Sequence, residues 1–208
     1  QLPRRAVEIA RRAIESTGSR ALVAGAIAPL EDSYSPQRTP PAATLAVEHS
    51  VMANCLAACG VDALLVETMN SVREAVAATR AAVATGRPTL VSVVCGRDAR
   101  LLSGEPLAAA AKALTALQPD ALLINCAPAP ELHRPLAELR AHTTLPVGAY
   151  GNVGYLDDDG NWVQTDAVKP QAYAAYARHW RAGGATLIGG CCGTTPAHIE
   201  ALRGAFSA

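Results

Sequence analysis

The sequence has no surplus of either charge: 18 basic residues balance 18 acidic ones across 208 positions. With no basic excess and no block of like charge, a nucleic-acid partner or an anionic membrane surface is not expected. No apolar run reaches the roughly 18 residues needed to span a bilayer. The first 17 residues are charged and amphipathic, so they lack the pattern of a secretory signal peptide. There is no linker, low-complexity stretch or short repeat. No CxxC pair is present, and its nearest approach, Cys55 and Cys59, lies inside a helical stretch, so a thioredoxin-type redox role lacks its motif. Half of the residues are hydrophobic, which excludes disorder and suits one domain with a sizeable core.

What the sequence does have is an alternation of short apolar runs and helical stretches. Leu2–Ser16 reads as an amphipathic helix, with Pro3 near its start and Gly18 past its end. Six strand–helix units follow. The strands are expected at Ala21–Ala28, Asp62–Thr68, Thr89–Cys95, Ala121–Cys126, Pro146–Tyr150 and Ala185–Ile188. The helices are expected at Ala43–Cys59, Ser71–Thr85, Leu107–Leu117, Glu131–His142, Lys169–Ala182 and Pro196–Phe206. The strands are apolar throughout rather than alternating, as in a parallel sheet covered on both faces. Two α/β architectures fit: a doubly wound open sheet, or a barrel of eight units lacking its first two strands. In either, chemistry belongs at the C-terminal ends of the strands. Those ends carry Glu67, Cys95, Asn125–Cys126, Tyr150–Asn152 and Gly189–Gly193.

Six cysteines in a chain of this size do not read as a disulfide framework, and adjacent cysteines such as Cys191 and Cys192 rarely bridge each other. Reduced thiols fit a cytoplasmic protein. Cys126 ends one strand and Cys191–Cys192 follow another, so a parallel barrel places all three on one rim. Three protein ligands with a vacant fourth position is the catalytic zinc pattern, and thiolates favour zinc over harder cations. The plainer alternative is three small buried residues, since free cysteine is commonly core. That alternative suits Cys55, Cys59 and Cys95. Gly193 permits the turn after the pair, and Thr195–Pro196 reads as an N-cap followed by the first helical residue.

The segments GGCCGTTPAHI at Gly189–Ile199, INC at Ile124–Cys126 and LLVET at Leu64–Thr68 resemble the homocysteine S-methyltransferase family. LLSGEPL at Leu101–Leu107 and GNW at Gly160–Trp162 extend the resemblance along the whole chain in the expected order. The resemblance implies a (β/α)8 barrel, here without its first two strands, whose zinc ion is held by Cys126, Cys191 and Cys192. It implies methyl transfer to the sulfur of homocysteine. The donor is S-methylmethionine or S-adenosylmethionine in some members, and betaine or a methylated folate acting through cobalamin in others. It implies that Glu67 binds the substrate's α-amino group. Homocysteine and a methyl donor are therefore the expected partners, and zinc the expected cofactor.

The chemistry agrees. Homocysteine's thiol is mostly protonated at neutral pH, the thiolate is the nucleophile, and coordination to zinc deprotonates it. Asn125 is expected beside the centre as an orienting residue, Asn152 as a pocket residue, and Tyr155 and Trp162 as a cover able to meet a cationic donor through their faces. The last two could equally pack the long segment 151–168 against the barrel. Asp157–Asp159 are consecutive rather than alternate, so they do not make an EF-hand loop. His49, His133, His142 and His179 are expected on solvated helix faces, and His198 outside the ligand set.

The chain departs from the family in places. Gly151 stands where relatives have proline, and the turn at Gly25–Pro29 has alanine where they have serine and glycine. The Asp-Gly-Gly segment of the first strand and the Thr-Asn-rich turn of the second are not in this sequence, which starts at Gln1. The expectation is an N-terminally truncated barrel domain. Three alternatives remain: in the same class, the homocysteine-binding half of a cobalamin-dependent methionine synthase or a betaine-dependent enzyme; in another class, a non-catalytic zinc or thiol protein.

Overall fold

The computed structural model describes residues 1–157 and 159–207. Its centre is a sheet of six parallel strands: β1 (Ala24–Ile27), β2 (Ala63–Met69), β3 (Thr89–Val93), β4 (Ala121–Pro128), β5 (Val147–Asn152) and β8 (Ala185–Gly190). Helices α2 (Ala42–Ala58), α3 (Val72–Val83), α4 (Leu107–Thr115), α5 (His133–Ala141) and α6 (Pro170–Ala182) connect successive strands. Helix α7 (Pro196–Phe206) follows the last strand, and α1 (Leu2–Ser16) precedes the first.

The strand order decides between the two architectures. Neighbours in the sheet are neighbours in sequence, β1-β2-β3-β4-β5-β8, with every pairing parallel. A doubly wound sheet reverses direction at a switch point, and this one does not. It is the wall of a singly wound barrel. Burial agrees. Leu64 and Val66, Val91 and Val93, Leu122 and Ile124, and Val147 and Ala149 are buried in one large core with helix residues such as Ala78, Leu114, Leu136 and Trp180. The alternate positions, Leu65, Leu90, Leu123, Tyr150 and Leu187, form a second, smaller cluster on the opposite face. That face is the concave side of the wall. β1 and β8 each pair on one side alone among the described residues, so the sheet has two open edges.

Helix α1 is held by its far end. Arg11 Nη2 donates to Asp62 Oδ1 at 2.8 Å and to the carbonyl of Gly60 at 2.9 Å. The same carboxylate accepts the amide of Val23 at 2.7 Å, which sets the entry to β1. Helix α7 starts with a reciprocal cap: Thr195 and His198 satisfy each other's backbone N–H, and Pro196 takes the first position.

Several expectations change. β1 is four residues long rather than eight: its pairing with β2 starts only at Ala24, because the Val23 amide just before it is taken by the Asp62 side chain. β4, β5 and β8 run past their expected ends into the rim, to Pro128, Asn152 and Gly190. The segment 151–168, read as loop, contains an antiparallel hairpin of β6 (Gly154–Leu156) and β7 (Trp162–Gln164). Asp158, in the acidic run, lies outside the described residues. His49 is not solvated: it is fully buried on α2, with Nε2 3.2 Å from Glu74 Oε1 of α3. His133, His142 and His179 are exposed on their helices as expected.

Candidate active site

Adjacent residues of a strand point to opposite faces, so if Asn125 faces the concave side, Cys126 should face the helices. A bulge changes that. The β4–β5 register shifts between Asn125 and Pro128, and Cys126 takes φ 57°, in the left-handed region. This conformation costs a non-glycine residue about 1–2 kcal/mol. It turns the thiol onto the rim. β2 does the same at Thr68, where φ is 59° and the pairing with β3 shifts between Val66 and Met69.

Cys191 and Cys192 follow β8 in a turn fixed at several points. The amide of Cys191 donates to Gly151 O at 2.9 Å, and that of Cys192 to Asn152 Oδ1 at 3.1 Å. Thr194 Oγ1 donates to Cys191 O at 2.7 Å. Gly193 has φ 78°, and a Cβ there would collide with the Val153 side chain, so glycine is required for both reasons.

These two turns bring the three sulfurs together. Cys126 Sγ and Cys192 Sγ are 3.7 Å apart, and all three sulfurs lie within 4.8 Å of one another. Tetrahedral zinc with bonds of about 2.3 Å needs sulfurs roughly 4 Å apart, so the trio fits this ion in both donor chemistry and spacing. His198 is not available to join it: Nδ1 faces Thr195 at 3.0 Å and Nε2 faces Ala167 O at 3.2 Å.

The cluster is electrostatically uneven. The hydrogen bond from Cys191 lowers the Cys126 thiol to about 6, with Tyr34 and Cys192 contributing and burial opposing. Cys191 is raised, first by that same bond and then by burial; Cys192 is raised by burial and by the charge on Cys126. Negative charge in the trio is thus favoured at Cys126 and disfavoured at Cys191 and Cys192.

Each side of the cluster has its own surroundings. On one side a cavity of about 360 Å³ is lined by Cys126, Cys192, Asn152, Tyr34, Tyr155 and Trp162. Among the described residues, Glu131 is the one acidic residue that lines it, and no lysine or arginine does. Cys95 is part of this wall, with its thiol pushed up to about 12 by burial. On the other side, Cys191 packs beside Tyr150 on the concave face. The Tyr150 hydroxyl donates to Glu67 Oε2 at 3.2 Å. Burial raises the Glu67 carboxyl, the charge of Cys126 adds to this, and the Tyr150 bond opposes it.

Asn125 is fully buried and joins the strand ends. Its Oδ1 accepts from Ser92 Oγ at 2.7 Å and from the Thr68 amide at 3.2 Å; its Nδ2 donates to Thr68 Oγ1 at 2.8 Å and reaches Cys191 Sγ at 4.0 Å. The expected residues thus divide. Asn125, Asn152, Tyr155 and Trp162 surround the thiols, whereas Glu67 stands on the concave face and does not line the 360 Å³ cavity. Sequence reading missed Tyr34, Thr68 and Ser92, none of which lies in a thiol-bearing motif.

A homocysteine S-methyltransferase family profile matches residues 1–206. The chain belongs to the homocysteine S-methyltransferase family. It is 32% identical to the methionine synthase of Mycobacterium tuberculosis over 155 residues, which is 71% of this chain and 13% of that protein. It is 34% identical to homocysteine S-methyltransferase 1 of Zea mays over 105 residues, 49% of this chain and 32% of that one. The chain thus spans a minor part of the length of these curated relatives. Among solved structures it superposes on the homocysteine methyltransferase MmuM of Escherichia coli. For the apo form the TM-score is 0.81 at 29% identity, covering 98% of this chain and 73% of that one. For the metallated form the TM-score is 0.82, covering 69% of that chain. The wall described above is therefore the greater part of a family barrel.

Proposed function

We propose that this chain transfers a methyl group from a sulfonium donor, S-methylmethionine or S-adenosylmethionine, to the sulfur of homocysteine, making methionine, with zinc held by Cys126, Cys191 and Cys192. The observation that carries the reading is the convergence of these three sulfurs beside an aromatic cavity. Cys126, Cys191 and Cys192 would hold the zinc, which when bound would supply Lewis acidity that favours the thiolate form of homocysteine near neutral pH.

The protein's own residues do the rest. Glu67, on the concave face beside Cys191 and Tyr150, offers a carboxylate to the α-ammonium of homocysteine. Binding that ammonium offsets the burial that raises its carboxyl. The Tyr150 hydroxyl fixes one Glu67 oxygen and so the direction of approach. Opposite, Tyr34, Tyr155 and Trp162 present aromatic surface, and Glu131 a carboxylate, to a cation in the cavity. In the transfer, the donor's C–S bond breaks as the bond to the homocysteine sulfur forms. The donor leaves as a neutral thioether, and the thiol proton goes to solvent. Charge disappears from both reactants beside a lining that is mostly apolar, which favours this displacement. A neutral product also loses its hold on the aromatic and acidic lining.

The likeness to the mycobacterial methionine synthase over 71% of the chain favours one second reading, a homocysteine-binding half that takes its methyl from cobalamin. One experiment separates the two. Purified chain is assayed for zinc and for methionine formation with S-methylmethionine, S-adenosylmethionine, betaine and methylcobalamin in turn. Zinc near one equivalent with turnover of a sulfonium supports the first reading. Turnover of methylcobalamin alone supports the second. Absence of bound zinc overturns both.

A further inference from the structure

The segment between β1 and α2 crosses the rim and carries Tyr34 to the thiols. The Tyr34 hydroxyl lies 3.1 Å from Cys126 Sγ and 3.3 Å from Cys126 O, although 92 residues separate the two in sequence. The segment has no strand or α-helix of its own to hold it there; its one regular turn is a 3-10 turn at Pro36–Arg38.

What holds it comes from the start of α3. Asn70 Nδ2 donates to Ser33 O at 3.0 Å and to Asp32 O at 3.4 Å. Glu74 Oε1 accepts the amide of Leu30 at 2.8 Å and is backed by His49 at 3.2 Å. Asn70, Glu74 and His49 are all buried, so these attachments are shielded from water. Within the segment, Asp32 Oδ1 accepts the Tyr34 amide at 3.1 Å and Asp32 Oδ2 accepts the Ser35 hydroxyl at 2.5 Å. This local turn fixes the direction in which Tyr34 leaves the backbone.

We propose that Tyr34 is a positioning residue that holds the Cys126 side chain toward its two partner thiols and covers its cavity side, and that Asn70 and Glu74 are the latch that places it. Cys126 sits on a bulged, left-handed backbone, where the strand pleat no longer sets the direction of its side chain. A hydrogen bond from outside the strand selects one direction for its sulfur. Groups that orient a ligand without touching the metal are typically worth about 10–100-fold in metal affinity. Asn70 directly follows β2, the strand that carries Glu67, and Glu74 is in the first turn of the next helix, so the attachments of the Tyr34 segment lie next to that strand in the chain.

The first test needs no metal and therefore stands apart from the zinc reading. Reduced, metal-free chain is treated with iodoacetamide, and the modification rates of individual cysteines are read from their peptides. At a pH high enough to ionise the Cys126 thiol in both chains, Cys126 of Tyr34→Ala should react several-fold faster while Cys55 and Cys59 keep their rates. Glu74→Gln and Asn70→Ala should accelerate Cys126 in the same way, and neither should add to the effect when combined with Tyr34→Ala. Asn70→Ala carries the test if Glu74→Gln does not fold. An unchanged Cys126 rate in Tyr34→Ala overturns the proposal, and additive latch effects overturn the route through Tyr34. The second test uses cobalt(II) as probe: Tyr34→Phe should weaken its binding about tenfold. Failure of wild-type chain to bind cobalt would count against the metal centre, whereas equal binding by wild type and Tyr34→Phe would count against the positioning role.

Discussion

Thr68 and Cys126, at the bulges near the ends of their strands, share a left-handed conformation, at φ 59° and 57°, and the side chain of Asn125 ties one bulge to the other. Two strained residues at one rim are held because a buried amide, satisfied by Ser92 and Thr68, over-determines both. The strain is what turns the Cys126 thiol out of the helix-facing layer and into the site.

Replacing Cys126 with glycine separates that strain from the thiol. Glycine adopts positive φ without penalty, and the side chain lost is small. Cys126→Gly should therefore fold with unchanged or slightly higher stability, by up to about 1 kcal/mol, while losing metal binding and methyl transfer. Urea unfolding alongside a zinc assay checks it. A large destabilisation would show that the thiol's packing outweighs the backbone strain.

Glu67 gives a pH-dependent signature. Its carboxyl is raised from 4.5, mainly by burial, so the unfolded chain ionises it more readily than the folded one. The stability this group contributes is full below its ordinary value and is lost as pH rises through its higher folded value. In the substrate-free protein, Glu67→Gln should thus melt higher than wild type at pH 7, and the gap should close toward pH 4. The same variant should raise the KM for homocysteine with zinc content unchanged. A gap that widens on acidification would mean that the Tyr150 bond dominates over burial.

The aromatic cavity should discriminate donors by charge. Trp162→Ala removes one face from a cation and should raise the KM for a sulfonium donor about fivefold to thirtyfold, as loss of about 1–2 kcal/mol requires. The KM for homocysteine should stay within twofold (about 0.4 kcal/mol) if Glu67 and the cavity serve separate substrates. Initial rates with each substrate varied in turn decide this, and a parallel rise in both constants would place the two substrates in one pocket.

How much of this was readable beforehand follows from where each signal lies in the chain. The thiols were readable because Gly189–Gly193 and Asn125–Cys126 sit at the ends of uniformly apolar strands, a short-range pattern. The architecture was readable only as a pair of options, since strand order is a long-range property; the sequential pairing from β1 to β8 resolved it. Tyr34 was not readable: its partner is 92 residues away and its segment has no periodicity. The hairpin of β6 and β7 was missed because each strand is three residues long and half exposed, too short for an alternation to register. His49 was misplaced because its partner, Glu74, is on another helix 25 residues on, and a buried histidine shows itself only through that partner.

The two open edges make the last prediction. β1 has β2 on one side and no strand on the other among the described residues, and β8 likewise has β5 alone. Ala24 and Ala26 are exposed on β1, and small neutral side chains do nothing to keep another strand away. The apolar residues Ile199 and Phe206 of α7 are also exposed, near the opposite edge. The 208-residue chain should therefore self-associate as its concentration rises, through one or both edges. Charged side chains on an edge strand oppose such pairing. The double variant Ala24→Lys, Ala26→Lys should accordingly shift the association to higher concentration, by about tenfold if each lysine costs the pairing roughly 0.7 kcal/mol. Sedimentation velocity over a hundredfold range of concentration reads this directly. A wild-type chain that stays monomeric throughout and melts cooperatively would show that these edges are closed within the chain itself, and the open-wall description would have to be abandoned.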